Sequence, residues 1–185
     1  MTTVGDAHDY RYFLPRILQL ALEDPTWVGV EPPLLVWRIK KAGWTEFSDQ
    51  QARAIHSVFK AGFQIAVEKH PDEADETLAW WCALGSLGIN PKLVFEWITS
   101  DHGTNAALQL ANIVTASAAH IERHGHIDPP FGEDYTDVST LQAITEFLLS
   151  ENVKERLLTA LESSTPEDTL TFLEPALKHI DHLNE

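Results

Sequence analysis

Asp9–Asp24, DYRYFLPRILQLALED, carries the clearest periodic signal in the chain. Tyr10, Phe13, Leu14, Ile17, Leu18 and Ala21 recur at three- and four-residue spacing, which lines them along one face of a helix and requires that face to be buried. Arg11 and Arg16 lie beside the face. Pro15 sits inside the run, where it removes one helical hydrogen bond and crowds the preceding turn, so the segment predicts either a kinked helix or one that starts late at Pro15. The same period returns along the rest of the chain, and no segment alternates apolar and polar residues over more than a few positions. The expected fold class is all-α.

Before this segment, residues up to about Ala7 read as frayed, with Asp6 or Asp9 as the N-cap. After it, DPTWVGVEPP breaks the helix, Pro32 and Pro33 open a second one, and Gly43 stops it. Ser48 and Gln51 form a capping box, with Phe47 and Ala52 placed as a hydrophobic staple. The third helix then runs to about His70, burying Ala52, Ile55, Phe59, Phe63, Ala66 and Val67, while Gly62 admits a close neighbour. DEADETLAWWCALGSLG is the fourth helix, burying Ala74, Leu78, Trp81, Cys82 and Gly85 and closing at Gly88. Asn90-Pro91 starts a fifth with Leu93, Val94, Trp97 and Ile98 inward, ended by Gly103. The sixth, Asn105 to His124, presents Leu110, Ile113, Val114, Ser117, Ala118 and Ile121, a small-faced stripe that places it near the centre.

Gly125 to Thr136, GHIDPPFGEDYT, is the one clear loop. Three helices follow: Asp137 to Leu149, Glu151 to Glu162 capped by Ser150, and Pro166 to Leu183 capped by Thr165 and bent at Pro175. About nine helices in antiparallel pairs predict a short HEAT-like solenoid or a compact multi-helix bundle. Residues 1–185 form a single all-helical domain in this reading, with the loop 125–136 separating a Trp-rich N-terminal part from an acidic C-terminal part.

At 185 residues and 44% hydrophobic composition, the chain is long enough to bury about 70% of its unfolded surface. Its net charge of −15 repels phosphates and anionic lipid, which argues against a nucleic-acid or membrane partner. Residues 128–185 hold thirteen carboxylates against Lys154, Arg156 and Lys178. Cys82 is the only cysteine, which excludes an intrachain disulfide framework and fits a reducing compartment. The N-terminus has neither the basic nor the apolar part of a signal peptide, and no run is long enough to span a bilayer, so a cytoplasmic location is expected.

His120, Glu122, His124, His126 and Asp128 form the richest chemical cluster. Two imidazoles one turn apart can share a metal, with His126 or Asp128 as a third ligand, although HIERH is not the H-E-x-x-H of zincins. Histidines also gather at a helix C-terminus because its negative end favours them, so no metal and no cofactor are expected. His179, Asp181 and His182 repeat the pattern more weakly and take the same explanation. Ser100-Asp101-His102 has the residue types of a hydrolase triad, but consecutive residues cannot stand in its geometry. Cys82 reads as an inert core thiol. Six tryptophans lie in the first hundred residues and are mostly core. Trp80 and Trp81 are adjacent, however, and point about 100° apart on a helix, so Trp80 is the candidate surface anchor. Asp72, Glu73, Asp75 and Glu76, and Glu133, Asp134 and Asp137, are candidate docking carboxylates for a basic partner, or else solvated helix starts.

DYRYFLPRILQLALED resembles the [D]-[FY]-R-[HY]-F-L-P-R-[IL]-L segment of an uncharacterised family of bacterial helical proteins. The resemblance covers 16 of the 185 residues and implies no activity. In that family the segment is expected to follow a region with cysteines and a Thr-Trp-Gly turn, which MTTVGDAH does not provide. By class and composition, a small, acidic, all-helical, cysteine-poor chain also resembles immunity proteins, which neutralise a toxin. The expectation is therefore a non-enzymatic protein that binds a basic partner, an immunity-type inhibitor of a toxin. The alternatives are a helical-repeat adaptor holding a peptide and a metal-dependent hydrolase using His120, His124 and His126.

Overall fold

The computed structural model describes residues 6–24, 29–73, 76–100 and 103–185, apart from the side chains of residues 91, 92, 99, 100 and 133. Helix α1, Ala7–Glu23, starts on a capping box: the Asp6 carboxylate accepts from the His8 and Asp9 amides, and Asp9 accepts in return from the Asp6 amide. A start at Ala7 leaves Pro15 inside the helix, so the late start is not taken. Leu14, Leu18 and Ala21 are buried, whereas Phe13 is 49% exposed, edge-on to Tyr12. The expectation that Phe13 faces the core is corrected: α1 packs mainly on α2 and α3, which cover a narrow stripe.

Arg11 ties α1 to the end of α2, Pro32–Lys41. Its Nε donates to the Ala42 carbonyl at 2.7 Å, its Nη2 pairs with Glu46 at 2.6 Å, and its guanidinium lies 5.1 Å from the Phe47 ring centroid. A positive group at a helix C-terminus meets both the unsatisfied carbonyls and the negative end of the dipole. Gly43 adopts a left-handed φ of 88° beneath this guanidinium, where a Cβ would collide with it.

Helix α3, Asp49–Glu68, has the expected Ser48–Gln51 capping box and buries Ile55, Phe59, Phe63, Ala66 and Val67. Gly62 carries the close contact that its place in the sequence predicts, because a Cβ there would lie 2.6 Å from the Trp80 ring. Helix α4, Thr77–Ser86, is buried nearly all round and packs on α2 and α3, on α5 (Pro91–Ser100) and on α7 (Val138–Leu148). Trp81 meets Phe63, Phe95 and Phe147, and the last two stack at 3.9 Å. On α5, Val94 and Ile98 are buried but Leu93 is exposed, which corrects its assignment to the core: the helix packs mainly on α4 and α7, with Lys60 of α3 over Trp97, and no such neighbour covers Leu93.

Helix α6, Thr104–His124, buries all six residues of its expected stripe and packs on α3, on α7, on α8 (Glu151–Leu161) and on the last helix. Gly103 is its N-cap, with extended backbone, rather than the stop of α5. Ser150 holds the N-cap position of α8, but its hydroxyl makes no capping hydrogen bond. The last helix, α9, is the run 166–183: α-helical at Pro166–Asp168, π-helical at Thr169–Leu173 and α-helical again at Glu174–Leu183. The wide π turn immediately precedes Pro175, which can neither donate to nor pack tightly against the carbonyl one turn back. Thr165 caps the run by accepting from the Asp168 amide.

All secondary structure among the described residues is helical. One cluster of buried apolar side chains extends from Leu14 to Ile180, and α6 touches helices far from it in sequence. That makes a multi-helix bundle rather than a solenoid, in which each repeat meets only its neighbours. Among the described residues, no helix is long and apolar enough to cross a membrane.

Candidate functional site

The loop 125–136 leaves α6 through Gly125, left-handed at φ 76°. Ile127 is fully buried and its amide donates to Thr145 Oγ1 of α7 at 2.8 Å, so the loop is pinned near its start. At its tip the Gly132 amide donates to the Pro129 carbonyl at 3.1 Å, closing a turn with Pro130 second and Phe131 third. Phe131 has φ 68°, a conformation that position normally gives to glycine, and is 54% exposed. A bulky side chain there costs about 1 kcal/mol and gains no burial in return.

Two concavities border the two ends of this loop. At its far end, a cleft of about 320 Å³ lies between α2 and the segment 134–138. Trp37 and Tyr135 meet edge to face across it at 6.1 Å, with Val138, Asp134 and Asp137 on the rim. Lys40 reaches Asp137 at 3.5 Å, and Lys41 lies 5.5 Å from the Trp37 ring centroid, so charge in this cleft is balanced. Trp37, 36% exposed, is the accessible indole here. Trp80, expected as the anchor, is 1% exposed between Gly62 and Phe59; this corrects its surface assignment. Adjacency of two tryptophans says nothing about a helix with no solvent face. Trp37, by contrast, shares an outer face with Lys40 and Lys41 at three- and four-residue spacing, and that signal was legible.

At the near end, a groove of about 650 Å³ is lined by Gly125, Leu149 and Leu183, each at the C-terminal end of its helix: α6, α7 and α9. The negative ends of three helix dipoles therefore converge on one space. Glu122 and Glu146 line it, each in the last turn of its helix, where a carboxylate is electrostatically disfavoured. His182 Nε2 lies 4.0 Å from Glu122, and among the described residues no lysine or arginine lines the groove. By contrast Asp181, at the corresponding place in α9, is matched by Lys154 at 2.6 Å. Sequence reasoning overlooked Glu146 and read Glu122 only as part of the histidine cluster; acid at the wrong end of a helix was the available signal.

The other expected docking carboxylates are dispersed. Asp72 lies 3.4 Å from His70 Nδ1, and His70 Nε2 bonds Asp168 at 3.0 Å, which joins the turn after α3 to α9. Hydrogen bonds from Thr165 and then from His70 hold the Asp168 carboxyl below its ordinary value. Glu73 is exposed and Glu76 half-buried at the start of α4, well apart in sequence from Asp134 and Asp137. Ala74, Asp75, the Glu133 and Ser100 side chains, Trp27 and the Asp101-His102 part of the triad-like run lie outside the described residues. Cys82 is buried and its thiol is pushed up to about 12 by that burial, in line with an inert core group.

His120, His124 and His126 are brought together, with ring centroids 4.3, 5.2 and 6.3 Å apart. His120 Nδ1 lies 3.5 Å from Asp128, while its Nε2 is buried without a hydrogen-bond partner. His126 is buried, and its Nδ1 lies 2.9 Å from the Ile127 carbonyl. Burial holds His120 below its ordinary value, Asp128 pushes the other way, and the neighbouring imidazoles add to the depression. Their ligand atoms do not gather within 4.8 Å; among the described residues Asp6, His8 and Asp9 do, as an exposed group that the capping box of α1 explains. No protein-family model, no curated protein and no solved structure matches the chain.

Proposed function

We propose that the protein is a non-enzymatic binding protein for a basic protein partner, most concretely an immunity-type inhibitor that covers the cationic surface of a toxin. The groove between the ends of α6, α7 and α9 carries this reading. It combines three helix C-termini with Glu122 and Glu146, and among the described residues no lysine or arginine lines it. Such an arrangement repels itself in the isolated chain and is relieved by an arginine or lysine from outside. The net charge of −15 adds long-range attraction for the same partner. The Trp37–Tyr135 cleft at the other end of the loop offers an apolar anchor beside the charged contact, in the usual division of labour at interfaces.

The test is capture from extracts of the native host by the wild-type chain and by the Glu122→Lys/Glu146→Lys double variant. A basic protein is expected to be retained by the wild type, released by salt, and held at least about tenfold more weakly by the variant. Retention of only acidic or neutral proteins, or equal capture by both chains, refutes the reading. A peptide-holding adaptor is the second reading, favoured by the exposure of Trp37; it predicts loss of capture in Trp37→Ala and indifference to the double charge reversal.

A further inference from the structure

The histidine cluster is not accounted for by the binding reading, and the helix dipole explains only part of it. A dipole accounts for His124, in the last turn of α6, but not for His126, which is buried beyond the helix end, nor for a buried His120 Nε2 that bonds to nothing. One of the three rings already shows the environment usual for metal-bound histidines, and a second has a carboxylate close to the corresponding nitrogen. Such rings almost always have their other nitrogen fixed by a carboxylate or a backbone carbonyl, which sets the tautomer and aims the lone pair. Here the Ile127 carbonyl lies 2.9 Å from His126 Nδ1, and the Asp128 carboxylate lies 3.5 Å from His120 Nδ1. Both arrangements leave Nε2 as the ligand atom.

We propose that His120, His124 and His126 form a three-imidazole site for a divalent transition metal ion of the Zn(II) class, with Asp128 and the Ile127 carbonyl as the groups that orient the rings. Metal–nitrogen bonds of about 2.0–2.1 Å at tetrahedral angles place the centroids of two bound imidazoles about 5 Å apart, and the three separations of 4.3, 5.2 and 6.3 Å bracket that distance. Gathering the nitrogens requires ring rotation, and His124 is exposed, with room to turn. An all-imidazole set selects zinc, nickel, copper or cobalt over magnesium or calcium, which prefer oxygen. The bound ion joins the last turn of α6 to the start of the loop 125–136.

The experiment is titration of the untagged, chelator-stripped protein with Zn(II) and, for its visible spectrum, with Co(II). One saturable equivalent is expected, with a Co(II) absorption of tetrahedral intensity. His124→Ala, at an exposed position, weakens binding at least tenfold, and Asp128→Asn weakens it about tenfold or more. His8→Ala, in the exposed Asp6–His8–Asp9 group, and His182→Ala leave it unchanged. Absence of saturable binding overturns the proposal, as does binding that survives His124→Ala or is lost in His8→Ala. Affinity unchanged in Asp128→Asn overturns the orienting role given to that carboxylate.

Discussion

Helix C-termini are treated in opposite ways at two places in this molecule. The end of α2 carries Arg38, Lys40 and Lys41 in its last turn and receives Arg11 from α1 on the Ala42 carbonyl. The ends of α6 and α7 carry Glu122 and Glu146, which line a shared groove, while Arg123 and His124 of the same α6 turn are not among its lining residues. One physical situation, a cluster of unsatisfied carbonyls with a negative dipole, is answered by cations alone in the first case, whereas in the second two carboxylates stand beside the basic residues and line the shared space. The first end is finished within the chain. In the proposed reading the second takes its counter-charge from a partner, which would separate a structural joint from a binding surface.

Removing the finished joint should have the largest effect. Arg11→Ala deletes the bond to Ala42, the pair with Glu46 and the contact with Phe47, and is expected to lower stability by about 2 kcal/mol. Urea unfolding measures it, and a loss indistinguishable from zero breaks the comparison. The Glu122→Gln/Glu146→Gln double variant should move the other way, gaining about 0.5–1 kcal/mol by taking acid from two helix C-termini. Lower stability in that variant would show that the groove is already balanced within the chain.

A smaller effect tests the same principle at a helix start. Asp168, in the first turn of α9, is an acid at the favourable end and is held below its ordinary value of 3.8 by Thr165 and His70. As pH falls, the unfolded chain takes up a proton at this carboxyl before the folded chain does. The stability it contributes is therefore complete above about 3.8 and is lost as pH drops toward the lower folded value. Acid unfolding of Asp168→Asn should accordingly be less steep than that of the wild type in this window, and identical slopes would remove Asp168 from the account.

Much of the architecture was legible because it depends on local chemistry. Ser48 with Gln51, Thr165 and Asp6 cap helices as their positions suggest, and the α6 stripe is buried as its spacing requires. Periodicity says which way a face points, but not how wide a neighbour covers it; Phe13 and Leu93 are exposed for that reason. Gly62 was legible as a close approach, whereas the ring that fills it, Trp80, was sought at the surface. The loop was evident from Pro129, Pro130 and the glycines, but not its anchoring through Ile127 to Thr145, eighteen residues away. The groove was least accessible to sequence reading, since it forms where helices ending at His124, Leu148 and Leu183 meet.

The π turn at Thr169–Leu173 affects that meeting point. A π turn holds one residue more than an ordinary turn, and each residue advances a regular helix by about 100°. The segment beyond it is thus rotated by about a third of a revolution relative to an unbroken α-helix starting at Thr165. In that rotated setting His182 and Leu183 look into the groove. A chain one residue shorter in that turn would swing them around the axis and leave the groove without its third wall, so the extra residue that accommodates Pro175 also aims the C-terminus.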